Sequence, residues 1–134
     1  MITTFKELSH DWKETQFTEA IRDGIASVGG YSLKLGASQF MAKGTPDTIY
    51  FLAGVTFLIE SKVHPFKVSA IQVEQLRRIR AGTGCAWAAT LRPLDGVMTV
   101  VLDDGWQFTS LENMVKHCVN IAKIQARDRE LRHV

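Results

Sequence analysis

Apolar residues recur at helical spacing between Asp11 and Val28, where Trp12, Phe17, Ile21, Ile25 and Val28 line up and Gly29-Gly30 supplies a stop. The spacing predicts a first helix. Tyr31 to Leu35 reads as a short strand, and the polar, glycine-containing stretch from Gly36 to Thr45 reads as a mobile loop. The period then changes. Thr48 to Ala53 and Val55 to Lys62 are β-branched and aromatic runs that meet at Ala53-Gly54, which predicts an antiparallel hairpin. Both runs are apolar on both faces, as in a covered central position of a sheet.

After His64-Pro65, Ser69 begins a second helix with Val73, Leu76 and Ile79 as its apolar stripe, while Arg77, Arg78 and Arg80 point elsewhere; Gly82 or Gly84 ends it. Cys85 to Leu91 is the next strand, and strand, helix, strand implies a right-handed crossover with a parallel pair. A turn from Arg92-Pro93 to Gly96 leads into a strand from Val97 to Leu102. A last helix starts at Thr109, with Glu112 three residues on as in a capping box, and carries Leu111, Val115, Cys118 and Ala122 on one side. The expected class is α/β: a small mixed sheet containing an antiparallel hairpin and flanked by helices. No repeat or linker interrupts the 134 residues, so 1–134 is expected to be a single domain.

Composition supports a packed core: 46% of residues are hydrophobic and 22% charged, with 3 Pro and 10 Gly. No apolar run reaches the ~20 residues that span a bilayer, and Met1 to His10 lacks a signal pattern, so a soluble, cytoplasmic protein with no membrane partner is expected. Cys85 and Cys118 lack neighbours at metal-ligand spacing and are expected to be reduced and buried. The net charge of +2 identifies no partner. Its distribution is more informative, because Lys62, Lys67, Arg77, Arg78 and Arg80 face only Glu74 in their stretch, and the tail from Lys116 is also basic. Two basic helix faces are either solvated surface or a grip on a polyanion.

Glu60 and Lys62 are two apart in a strand and therefore project from one face. If Leu52 faces Val55 across the turn, Asp47 faces Glu60. Two carboxylates ~5 Å apart repel unless a cation lies between them. Oxygen donors of this kind suit Mg²⁺ or Mn²⁺, and the carbonyl of Ser61 is a further candidate ligand. Lys62 beside such an ion could stabilise charge on a phosphate or orient attacking water. Residue by residue there is a plainer reading, in which Asp47 caps a turn after Pro46 while Glu60 and Lys62 form an ordinary ion pair.

Gly44-Thr45-Pro46-Asp47, an apolar hairpin and then Glu60-Ser61-Lys62 resemble the PD-(D/E)XK nuclease superfamily. Ser69-Ala70-Ile71-Gln72, Leu76 and Gly82 or Gly84 before the next strand resemble its VRR-NUC branch, which is similar in fold to Holliday-junction resolvases. The resemblance covers roughly Glu19 to Leu91. It implies a restriction-endonuclease-like core and metal-dependent hydrolysis of DNA, with Asp47 and Glu60 as metal ligands and Lys62 assisting. It also implies a branched DNA substrate such as a Holliday junction, and a bacterial cell or a phage-infected host as the setting. Glu19 in the first helix matches a further acidic ligand, with Glu14 as its rival. Gln72 matches an amide close to the active centre, although Ser69 and Gln72 equally make a capping box.

Lys34, Lys43, Lys67, Arg77, Arg78 and Arg80 are then the candidate DNA contacts, holding the sugar-phosphate chain without reading bases. His64 continues the face of Glu60 and Lys62, or simply leaves the sheet before Pro65. Symmetric cleavage of two strands would call for a homodimer, and the last helix, apolar through Met114, Val115, Cys118, Ile121 and Ile124, is its candidate surface. The competing class is a non-catalytic DNA-binding module of the same fold.

Overall fold

The computed structural model describes residues 5–35, 46, 48–83 and 85–132. Its elements in chain order are α1 (Glu14–Ser27), β1 (Tyr31–Lys34), β2 (Thr48–Leu52), β3 (Val55–Val63), α2 (Ala70–Thr83), β4 (Ala86–Leu94), β5 (Val97–Leu102), β6 (Gln107–Phe108) and α3 (Leu111–Arg132). The six strands form one sheet in the order of the chain. β3 and β4 are parallel, joined by α2, and the other neighbours are antiparallel.

The β2–β3 hairpin has the register that the sequence implies, with Leu52 opposite Val55 and Ile49 opposite Leu58. Ala53 and Gly54 both take positive φ, 53° and 77°. That is the primed turn whose twist matches the flanking strands, and it places a non-glycine residue in the left-handed region. Asp95 and Gly96 repeat the device between β4 and β5. β4 therefore runs on through Arg92 and Pro93, the pair that by sequence opens the turn. Leu91 is the last β4 residue paired with β3, so Pro93 sits where that neighbour has ended.

The sheet separates two apolar layers. On one face α1 and α3 bury Phe17, Ile21, Ile25, Met114 and Val115 against Phe57, Ile59 and Leu91. On the other, Leu76 of α2 packs with Leu58, Ala86 and Ala88. Leu111, Val115, Cys118 and Ala122 face inward, as their spacing predicts. Met114 does as well, so the apolar α3 face considered for a dimer is largely consumed by the chain's own core.

Two local expectations need correcting, and one strand is unforeseen. Val73 is not part of the α2 stripe, since it is 52% exposed; the inward positions are Gln72, Leu76 and Ile79, at i, i+4 and i+7. The α3 cap is Ser110, whose Oγ accepts from the Asn113 N–H at 3.2 Å, not Thr109 with Glu112. β6, only two residues long, carries no periodic signal. Both cysteines are buried thiols, and neither is in a disulfide. Among the described residues no helix is long and apolar enough to cross a membrane.

Candidate active site

β3 carries Glu60 and Lys62 toward the end at which it passes into the connection to α2. Strand alternation sends Ile59 and Ser61 to the α1–α3 layer and Leu58 and Glu60 to the α2 side. Glu60 is 5% exposed, a position where a carboxylate needs partners. It has them. Lys62 Nζ lies 3.6 Å from Glu60 Oε1, and Gln72 Nε2 donates to the same oxygen at 3.0 Å.

The Gln72 bond depends on how α2 begins. Ser69 Oγ accepts from the Gln72 backbone N–H at 3.2 Å, and Gln72 Oε1 accepts from the Ser69 backbone N–H at 2.9 Å. This is a complete capping box, and its amide still has an NH₂ group to spend on Glu60. Gln72 thus caps α2 and donates to Glu60 at the same time.

Lys62 also reaches α1, with Nζ 3.9 Å from Glu14 Oε2. Glu14 opens that helix, while Glu19 lies on its exposed side. Of the two rival acids, Glu14 is the one the fold brings to Lys62. The reason is geometric: the first turn of α1 meets the end of β3, and a residue five positions later has moved along and around the helix. The result is an alternating array, Glu14, Lys62, Glu60, Gln72, in which two carboxylates flank an ammonium.

Asp47 and Lys43 lie outside the described residues. In the chain Asp47 immediately precedes Thr48, which begins β2 and is opposite Lys34 of β1. Ser61 is buried, with an Oγ that has no hydrogen-bond partner among the described residues. Carboxylate oxygens are the donors a hard divalent ion prefers, and Glu60 with Glu14 supplies two such groups. Among the described residues no cluster of three acidic, histidine or cysteine side chains is gathered for a metal.

The basic residues divide. Lys34 and Lys67 are exposed. Arg77 and Arg78 are exposed as well but share Glu74, at 2.7 Å and 3.0 Å, and hydrogen bonds from Arg77 and then Arg78 hold that carboxyl at about 2. Arg80 is committed to the fold. Its Nε donates to the Ala86 carbonyl at 2.9 Å and its Nη2 pairs with Asp103. Asp103 Oδ1 in turn accepts from the Ala88 N–H at 3.1 Å, so the expected DNA contact at Arg80 is instead a clamp between α2 and the sheet. His64 lies in the turn that leaves β3.

Of the tryptophans, Trp87 is buried edge-on to Phe57 and donates to Asp104 at 3.0 Å. Trp106 is exposed, stacked on Phe108 and against His117.

No family model and no curated protein matches the chain. Among solved structures it is similar to that of Archaeoglobus fulgidus Hjc, described as a Holliday junction resolvase from an archaeal hyperthermophile. The TM-score is 0.51 at 16% identity, over 75% of this chain and 98% of that one. At that identity the likeness is one of fold. The fold class expected from the sequence, a restriction-endonuclease-like α/β core, is the one observed.

Proposed function

We propose that this chain is a metal-dependent endodeoxyribonuclease of the PD-(D/E)XK superfamily that hydrolyses phosphodiester bonds in branched DNA, a Holliday junction above all. The observation that carries the reading is the buried Glu60 carboxylate with the Lys62 ammonium 3.6 Å away, on the strand whose hairpin partner starts one residue after Asp47. The resolvase-like fold supports it. The finer placement in the VRR-NUC branch rests on the helix start Ser69-Ala70-Ile71-Gln72 and on the capping box it forms.

In this reading Asp47 and Glu60 hold Mg²⁺ or Mn²⁺, with the Ser61 carbonyl and Glu14, in preference to Glu19, as further oxygen donors. The ion, when bound, acidifies water and offsets charge on the phosphate. Lys62 supplies a cation to the non-bridging phosphate oxygens as the water oxygen bonds to phosphorus, the bond to the 3′ oxygen breaks and that oxygen takes up a proton. Lys34, Lys43, Lys67, Arg77 and Arg78 hold the sugar-phosphate chain. One domain spanning 1–134, at work in the cytoplasm, suffices for this chemistry. Cutting two strands symmetrically needs a twofold dimer, through a surface other than the buried face of α3.

Labelled junction, flap, duplex and single-stranded DNAs incubated with Mg²⁺ or Mn²⁺ test the proposal. Junction nicking by the wild type that disappears in Asp47→Ala and Lys62→Ala is the expected result. Metal-independent binding with no nicking of any substrate would establish the second reading, a non-catalytic DNA-binding module of the same fold.

A further inference from the structure

Gln72 is held at both ends of its amide. Its Oε1 accepts from the Ser69 backbone N–H at 2.9 Å, which leaves Nε2 as the group turned to Glu60 Oε1 at 3.0 Å. A free glutamine could present either end of its amide to the site, and an oxygen facing Glu60 would repel it. The cap removes that choice. Gln72 also occupies the inward stripe position of α2 that an apolar residue would normally take, one and two turns before the buried Leu76 and the partly buried Ile79.

We infer that Gln72 is a positioning residue, with the α2 capping box orienting its amide so that the NH₂ group fixes the rotamer of the Glu60 carboxylate for a divalent ion. This deepens the nuclease reading and rests on it. It differs from direct contact of the amide with a phosphate or with water, because Gln72 then acts through Glu60 and touches no reacting atom. Partners that orient a metal-binding carboxylate characteristically influence metal affinity by 10-fold to 100-fold.

The test uses the full chain, Mn²⁺ calorimetry, thermal melting and the kinetics of junction nicking. Gln72→Ala is expected to weaken Mn²⁺ about 10-fold or more and to lower kcat, with KM for DNA unchanged. Ser69→Ala deletes the hydroxyl cap but keeps the backbone N–H that holds the amide oxygen, so it should lower the melting temperature while keeping Mn²⁺ affinity within about 3-fold of wild type. Gln72→Asn, whose amide is one methylene too short to span both partners, should match Gln72→Ala in Mn²⁺ affinity and serves if the alanine variant fails to fold.

A raised KM for DNA with unaltered Mn²⁺ affinity would assign Gln72 to the substrate and overturn the inference. So would equal drops in melting temperature for Ser69→Ala and Gln72→Ala with no change in Mn²⁺ affinity, which would make Gln72 a helix cap alone. A wild type with no Mn²⁺ site dependent on Glu60 would instead sink the nuclease reading and this inference with it.

Discussion

Lys62 Nζ lies 3.6 Å from Glu60 Oε1 on the same face of one strand, and only 16% of the lysine side chain is exposed. Such a pair stabilises little relative to an uncharged alternative, yet removing one partner strands the other. Lys62→Met should therefore destabilise the protein on the order of 2 kcal/mol, below the usual range for a broken buried pair because Gln72 still serves Glu60. Glu60→Gln leaves Lys62 with Glu14, 3.9 Å away, so it should cost less stability than Lys62→Met while abolishing nicking. In urea unfolding, the double variant should be more stable than Lys62→Met alone. Strict additivity would show that the two groups do not interact.

The basic residues of α2 and the turn before it are expected to part company on substitution. Removing one side chain that neutralises a phosphate lowers the salt slope of DNA binding by about 0.9. Lys67→Ala should show that change while stability holds. Arg80→Ala should leave the slope unchanged and destabilise the fold by about 1–2 kcal/mol, since it frees the Ala86 carbonyl and Asp103 together. Binding measured across a salt series, with melting of each variant, separates the two roles.

Much of the site can be read from the chain because strand alternation and a two-residue turn are rigid rules. Glu60 and Lys62 have to share a face, and Leu52 opposite Val55 follows from Ala53-Gly54. What escapes is set by tertiary packing. Val73 resembles core by composition, but α2 turns Gln72 inward, and a polar residue spaced i, i+4, i+7 with Leu76 and Ile79 is the available clue. Glu14 can be preferred over Glu19 only once the start of α1 is seen against the end of β3. Arg80 reads as one of three surface arginines, because nothing local announces Asp103, 23 positions away.

Gly30 is needed for space. A Cβ there would lie 2.4 Å from Ile25 Cγ2, 3.0 Å from the Ile25 carbonyl oxygen and 3.1 Å from that of Phe51. Two of these neighbours are backbone and cannot rotate away. Gly30→Ala should cost about 1–3 kcal/mol, as overpacking does, measurable as a lower urea midpoint at unchanged slope. A neutral result would mean that the α1–β1 connection yields without strain.

Burial makes Cys118 a poor nucleophile, pushing its thiol up to about 12, with the neighbouring Cys85 adding to the shift. A thiol reagent at about pH 8, near the ordinary thiol value, should therefore label Cys118 only as the protein unfolds. Rapid labelling of the native protein would mean that α3 opens locally from the core.

His117, next to Cys118 on α3, provides a pH handle. Burial against Trp106 and Phe108 lowers its pKa, and the charge of Asp104 offsets part of that shift. A lowered folded-state value means that the unfolded chain takes up the proton first. As pH falls below the ordinary histidine value of about 6.5, stability should decline until the folded imidazole also protonates. At higher pH this contribution is constant. His117→Phe keeps the aromatic contact and removes the titration, so its melting temperature should fall less than that of the wild type between about pH 7 and about pH 5. Parallel curves for the two proteins would show that the folded and unfolded imidazoles titrate alike and that α3 shields His117 too little to matter.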